Sequence, residues 1–368
     1  MTKCLSVVVV PVDSALATLR DWQISDPKIV DDPTLSPDWL HIWWRHFGKS
    51  GSEQVLCLVS PEGQRVGLLF THKNVERYYH LPVRTIRCWV NSHAQRAGLF
   101  LRCDPDSAAR AFVEHWVRCS RQWDLLSLQG LPEGEFSRSL MHHADARRCQ
   151  RVSLRTWGHS RLEIDRSWED YFRHAVSKDT RWDVERQGRR LAELGTTRWC
   201  NHDSIEAVVA AFDEFMTVES QSWKRLTGET IASQPRLAAF YLDMFQSLAA
   251  EGKAEIAVFY LADSPICASL NLVDHGRLLT LKTSFDERFA KYSPGSQLYR
   301  HLIAHAFCSE FKEVDFYGKI RFTQRWTKAE RCFIDLQFQG PTMRSRLIGL
   351  AKAAKDWWVA ARQEGKAR

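Results

Sequence analysis

Asp315 and Tyr317 lie on a short apolar run, residues 314–317, one helix-length after a loop reading Tyr292-Ser293-Pro294-Gly295-Ser296. A helix over 296–311 would leave unpaired backbone N–H groups at the positive end of its dipole, a ready site for phosphate oxygens. Alternation on the following strand puts Val314 and Phe316 on one face and Asp315 and Tyr317 on the other. Burying a carboxylate in such a run is costly without a partner. Asp315 is therefore either a base beside whatever docks at the loop, or the paired acid that closes a sheet.

Other residues in this half carry similar two-sided readings. Asp286 and Glu287 end the preceding strand and suit a base or a turn cap. Tyr292 and Tyr317 can donate to a developing anion or simply pack. Ser293, Gly295 and Ser296 either cradle a phosphate or form a turn with Ser296 as N-cap. Lys319, Arg321 and Arg325 follow the strand and offer charge to phosphate. Trp223 and Lys224 close a helix and can line a cleft, as can Lys282 and Trp326. His301 and His305 stand one helical turn apart, but no third ligand accompanies them, so no metal site is expected.

Several motifs follow one another in a recognisable order. They are Glu219-x-x-Ser222-Trp223-Lys224, then Ser293-Pro294-Gly295, then Asp315-Phe316-x-Gly318, then Trp326, preceded far upstream by Leu35-Ser36-Pro37-Asp38-Trp39 and Trp43-Trp44-Arg45-His46-Phe47. The pattern resembles the GNAT-type acyltransferases of the cellulose and exopolysaccharide biosynthesis class, relatives of the Fem peptidyltransferases, over residues 30–340. Phe322-Thr323 departs from it, where that class has Tyr-Lys. The resemblance implies an α/β (α+β) protein of two tandem GNAT-like domains, each a mixed central sheet flanked by helices. It implies acyl-CoA as co-substrate, with no permanently bound cofactor. The acceptor would be the amine of an amino sugar, amino acid or peptide used in envelope or exopolysaccharide biosynthesis.

Acyl transfer from a thioester to an amine needs a proton acceptor, close positioning and a donor for the oxyanion. In that frame Asp315, Tyr317 and Asp286 are the catalytic candidates. Tyr292, Ser293, Gly295, Ser296 and Lys319 would hold the donor, and Trp223, Lys224, Lys282 and Trp326 the acceptor. Two rivals remain open: an aminoacyl-tRNA-dependent transferase on the same fold, and a non-catalytic binding protein, which the missing lysine at Thr323 motivates.

The elements that must position these groups alternate as an α/β chain should. In the first half, strands are expected at 6–12, 54–59, 66–72, 85–90 and 124–128, with helices at 13–22, 36–47 and 106–122. In the second half, helices at 168–176, 180–194, 205–226 and 235–251 precede a meander at 255–261, 266–273 and 278–284. Helix 106–122, strand 124–128 and Gly130 repeat later as helix 296–311, strand 314–317 and Gly318. This repeat predicts domains at 1–160 and 161–340, followed by a basic helix at 341–368.

The chain has 368 residues and net charge +7, unevenly spread. Segment 137–155 sets five arginines against Asp145, and the tail 341–368 sets seven basic residues against Asp356 and Glu364. Such patches suit tRNA or an anionic membrane surface; nothing suggests DNA. The ten cysteines show no zinc spacing and read as free thiols of a reducing compartment. The apolar run near the start is too short and too early interrupted by Pro11 and Asp13 to serve as a signal peptide. A cytoplasmic location, peripheral at the inner membrane surface, is the expectation.

Overall fold

The computed structural model describes residues 5–48, 51–78 and 81–351. The chain is an α+β protein that divides into two compact units. The first gathers Met1–Val30, Gly48–Trp157 and Cys332–Arg368; the second gathers Asp31–Phe47 and Gly158–Arg331. The chain thus crosses between them more often than a split at 160 into 1–160 and 161–340 allows.

In the first unit the sheet order is β1 (Ser6–Val10), β2 (Glu53–Val59), β3 (Arg65–Tyr78), β4 (Leu81–Cys88), β6 (Leu125–Pro132) and β13 (Glu330–Gln339), with β5 (Leu99–Leu101) on β3. Only β4 and β6 pair in parallel. Helices α1 (Val12–Ser25), α3 (Pro105–Arg118) and α4 (Glu135–Ala146) accompany it. α3 starts where Asp104 accepts from the Ser107 N–H, with Pro105 in the first turn. Its stripe of Ala108, Phe112 and Trp116 is buried with Leu126, Leu128 and Leu140.

The tail is helical over 343–351, and the rest of the expected helix lies outside the described residues. Leu347 and Leu350 of this helix are exposed. Ser345, Ile348 and Gly349 are buried, and Arg344 bonds to Asp124. The helix therefore docks through its small residues and Ile348.

The second unit has the order β7 (Arg151–Glu163), β12 (Glu313–Asp315), β11 (Arg277–Phe285), β10 (Ser264–Asp274), β9 (Ala254–Leu261) and β8 (Thr197–His202). Its helices are α2 (Pro37–Phe47), the short α5 (Trp168–Asp170), α6 (Lys178–Ala192), α7 (Ile205–Ser220), the short α8 (Lys224–Thr227), α9 (Pro235–Ala249) and α10 (Pro294–Cys308). α2 joins this unit because its tryptophan face fits α9. Trp39 meets Phe240 edge-on at 5.6 Å, and Arg45 and His46 both reach Asp243.

Two features of this sheet shape the site. β11 and β12 are parallel partners for only three matched positions, Arg277 to Glu313, Leu278 to Val314 and Leu279 to Asp315. β12 then stops, while β11 runs on to Phe285. Among the described residues, no backbone hydrogen bond ties residues 280–285 to any strand but β10. The second feature is a bulge: Leu270 faces Lys282 and Asn271 faces Thr280, which leaves Leu281 as the extra residue. A bulge resets alternation. Thr280 and Thr283 both bond to Tyr299 of α10, whereas Lys282 and Ser284 turn to the face carrying α7, α8 and α9.

Candidate active site

The apolar stripe of α7 runs Val208, Phe212, Phe215 and then Glu219, all buried. An acid in that register must be compensated. One carboxylate oxygen accepts from Lys224 Nζ at 2.9 Å and the other from the Ile231 N–H at 2.7 Å. Lys224 stands just past the helix end because Trp223 opens α8, a single turn closed by left-handed Gly228 (φ 69°). From there its ammonium also donates to Ser284 Oγ at 2.9 Å, on the unpartnered length of β11. The E-x-x-S-W-K sequence is thus a clamp that joins a helix end to the open strand. Ser222 turns inward, its hydroxyl donating to the Glu219 carbonyl.

Lys282 lies beside this clamp, half-buried, with its ammonium 5.5 Å from the ring centre of fully buried Tyr241 on α9. Burial first, and then the charge of Lys224, bring its pKa down to about 8, while Glu219 works the other way. Burial pushes the Tyr241 hydroxyl well above its usual range, with Tyr317 and Glu219 adding to the effect. Trp223 is half exposed (50%) next to Lys224.

The expected centre around Asp315 differs. Asp315 is fully buried; Oδ1 accepts from the Tyr317 N–H at 2.9 Å and Oδ2 lies 3.7 Å from Arg331 Nε. Its neighbour Glu313 is held by Arg161, Arg277 and Arg331. The carboxylate belongs to an arginine-rich network that ties the sheet and caps a turn, which corrects its reading as a proton acceptor open to substrate. Strand alternation does not extend to Tyr317 either: β12 ends at Asp315, and Tyr317 has φ 45°. Tyr317 still packs near the site, with its ring 4.9 Å from His159.

Asp286 is likewise engaged. It caps the helical turn Glu287–Tyr292 and takes a forked bond from Arg288. Burial raises its pKa, but the bonds from Arg288 outweigh this and hold it below the usual carboxylate value. Both acids are thus engaged by arginines.

At the donor loop, Ser293 (φ 50°) is the residue before α10, and Ser296 is already inside its first turn. Ser296 and Gln297 N–H groups return to the Ser293 carbonyl. Tyr292 packs in the apolar core, with the Arg190 guanidinium and the Lys291 ammonium over its ring. Gly295 leaves room before Phe322. Arg325 reaches Ser296 Oγ at 3.5 Å and is anchored by Asp183 at 2.7 Å. With Arg321 and Lys328 it lines a cavity of about 280 Å³ at the start of α6. Lys319 instead pairs with Glu330.

Trp326 is buried among α6 and α10 core residues, away from Trp223, so it does not line an acceptor cleft. Thr323, at the position where a lysine was expected, bonds Ser160 and the Ile320 backbone. His301 and His305 pack against Trp199. The structure therefore brings together Lys224 and Lys282, adding Glu219, Ser284 and Tyr241. Glu219 was detectable as an acid on a buried helical stripe. Ser284 and Tyr241 carried no signal of their own.

Residues 178–321 match the acetyltransferase (GNAT) domain family. No curated protein matches the sequence. Among solved structures, FemX superposes with a TM-score of 0.56 at 11% identity, over 94% of this chain and 100% of that one. A conserved protein of unknown function from Bacteroides thetaiotaomicron gives 0.52 at 9% identity, over 90% and 99%. A C-terminal domain assigned to a lysylphosphatidylglycerol synthetase of Agrobacterium fabrum gives 0.51 at 10% identity, over 94% and 96%. The chain thus has the fold seen in FemX, and residues 178–321, in the second unit with its open parallel strand and helix-start loop, match the acetyltransferase (GNAT) domain family.

Proposed function

We propose that the second unit transfers an acyl group from an acyl-CoA to a primary amine on an amino sugar, amino acid or peptide. The observation that carries this reading is the open length of β11, residues 280–285. An extended pantetheine arm can add to it through backbone hydrogen bonds, as a peptide adds to a sheet edge. The α10 start lies at the far end of that edge. Ser293, Gly295 and Ser296 would meet the pyrophosphate there, and Arg321, Arg325 and Lys328 supply charge in the neighbouring cavity. The Glu219–Lys224–Ser284 clamp and half-exposed Trp223 border the acceptor side, where an indole face suits a sugar ring. Tyr317 would serve as a hydroxyl donor for the leaving thiolate.

On this reading Asp315 and Asp286 hold the site together rather than move protons. An envelope or exopolysaccharide acceptor follows from the family resemblance, and a cytoplasmic location from the free cysteines. Among the described residues, no helix is long and apolar enough to cross a membrane.

One observation favours a second donor, an aminoacyl-tRNA. In the first unit, Arg148 of the basic segment 137–155 and Arg346 of the tail line a cavity of about 440 Å³ with Asp145 and Gln339. Titration of the purified protein with acetyl-CoA, longer acyl-CoAs and charged tRNA separates the readings. Acyl-CoA binding that is lost on Ser293→Trp and kept on Arg346→Glu is the expected result. Binding of charged tRNA alone, lost on Arg346→Glu, would replace it.

A further inference from the structure

We propose that Lys282 is the base that takes the proton from the acceptor ammonium, a role that rests on the acyl-transfer reading. Three observations place it there. The Leu281 bulge turns Lys282 onto the face of the Lys224 clamp and keeps it on the unpartnered length of β11, where the thioester would lie. Its ammonium makes no hydrogen bond and no ion pair among the described residues; the face of Tyr241 is its one close partner there. The carboxylate that would normally neutralise it, Glu219, is already bonded to Lys224 and Ile231. Lys224 is committed too, to Glu219 and Ser284, so the two lysines are not equivalent.

The groups that face Lys282 decide its charge. They are Glu219 from α7 and Lys224 from α8, with the ammonium seated over the Tyr241 ring of α9. Burial and Lys224 disfavour its charged form more than Glu219 favours it, giving a pKa of about 8. About half of the Lys282 amine is then neutral at pH 8. An ordinary lysine, at about 10.4, is less than about 1% neutral there. A neutral amine with no hydrogen-bond commitment is a working proton acceptor close to neutral pH.

The step balances as follows. The acceptor R–NH3+ gives one proton to the Lys282 Nζ lone pair. The freed amine attacks the thioester carbonyl, forming the C–N bond. Collapse of the tetrahedral intermediate breaks C–S and releases the CoA thiolate. The thiolate takes the proton that Lys282 holds, and the second amine proton leaves to water, so an amide and free CoA thiol result.

Two measurements on the full chain test this. Competitive labelling with acetic anhydride across pH should half-label Lys282 near pH 8, well below the ordinary lysine value of about 10.4. Rates of CoA release from acetyl-CoA are then compared over pH 6–10 with glucosamine, L-lysine and a dipeptide as acceptors. Lys282→Met and Lys282→Arg should each lose about 10²–10⁴-fold in turnover. Both should lose the rise in rate centred near pH 8 while binding acetyl-CoA within about 3-fold of the parent. Loss in Lys282→Arg, which keeps the charge and length, separates the proton role from packing. Lys282 that labels like the other lysines, becomes stably acetylated by the donor, or is dispensable for turnover would overturn the proposal. Turnover of acetyl-CoA by both variants at the parental rate sinks this role alone; a parent that binds no acyl-CoA sinks the acyl-transfer reading beneath it.

Discussion

In the first unit β4 and β6 run parallel for three matched positions, from Thr85–Leu125 to Arg87–Ser127. In the second, β11 and β12 do the same from Arg277–Glu313 to Leu279–Asp315. Beyond these positions the two units part. In the first, the chain after β4 folds back into the widening gap. The Ala97 N–H donates to the Gly130 carbonyl of β6, and the backbone of Gln95 and Arg96 lies against Gly130. Trp89 seals the turn, with its indole N–H on the Thr71 carbonyl. In the second, the strand edge stays open and polar side chains line it. A similar backbone device therefore yields a filled seam in one unit and a slot in the other. What differs is where the connecting chain goes: into the gap, or straight into a helix that starts with Ser293-Pro294-Gly295.

The contrast extends to buried acids. Asp124, in the first unit, is bonded by both Arg84 and Arg344. Burial raises its pKa, but the arginine bonds prevail and it sits below the usual value. Glu255, on β9 of the second unit, accepts from the Asn201 side-chain amide and pairs with no cation among the described residues. Burial, opposed first by that amide, pushes it up to about 7. One unit neutralises its acid with cations and the other by keeping its proton.

The largest expected effect tests whether the slot contains a catalytic acid at Asp315. Asp315→Asn removes a fully buried carboxylate from the network of Arg331 and Glu313 and should cost about 3–5 kcal/mol, seen as a lower Tm. Acyl transfer per folded molecule should stay near the parental value. A variant of unchanged Tm and greatly reduced turnover would restore Asp315 to the mechanism.

Next comes the pH response. The folded pKa of Glu255 lies above its unfolded value, so its contribution is fully present at acid pH and is lost as pH rises toward 7. The depressed pKa of Asp124 acts oppositely: its contribution is present above about pH 4 and fades as pH falls through the folded value. Glu255→Gln should therefore stabilise the protein at pH 8 by on the order of 3 kcal/mol, and hardly at all at pH 4.5. Denaturant midpoints at the two pH values check this, and equal gains at both would refute it.

The smallest effect on function falls on the filled seam. Gly130 has φ 69°, and a Cβ there would stand 2.1 Å from the Gln95 carbonyl oxygen. Gly130→Ala should push that backbone aside, at a cost beyond the about 1–3 kcal/mol of the left-handed φ alone, and speed amide exchange at Ala97. Acyl-CoA binding should be unaffected. Altered donor affinity in this variant would mean that the seam, and not only the slot, takes part in function.

Much of this was legible without coordinates. Helical spacing marked α3, α7 and α9, turn residues marked the β9–β11 meander, and the ordered motifs marked the second half as the chemical one. Local rules suffice there because the periodicity, caps and turns all act within a few residues. The sequence also contained the clamp, as Glu219-x-x-Ser222-Trp223-Lys224, with an acid on a buried stripe. Tertiary structure alone decided which residues share a face. Alternation breaks wherever a bulge or a positive φ intervenes. Leu281 rotates Lys282 toward Lys224, and the left-handed Tyr317 leaves the face assigned to it by counting from Asp315. The state of each charge was equally out of reach. Asp315 is tied up by Arg331, sixteen residues away, Lys224 by Ser284, sixty residues on. Lys282 is left free because the nearest acid is already taken. Such long-range pairing, and the burial that gives it weight, is set by the packed sheet and helices and not by neighbouring sequence.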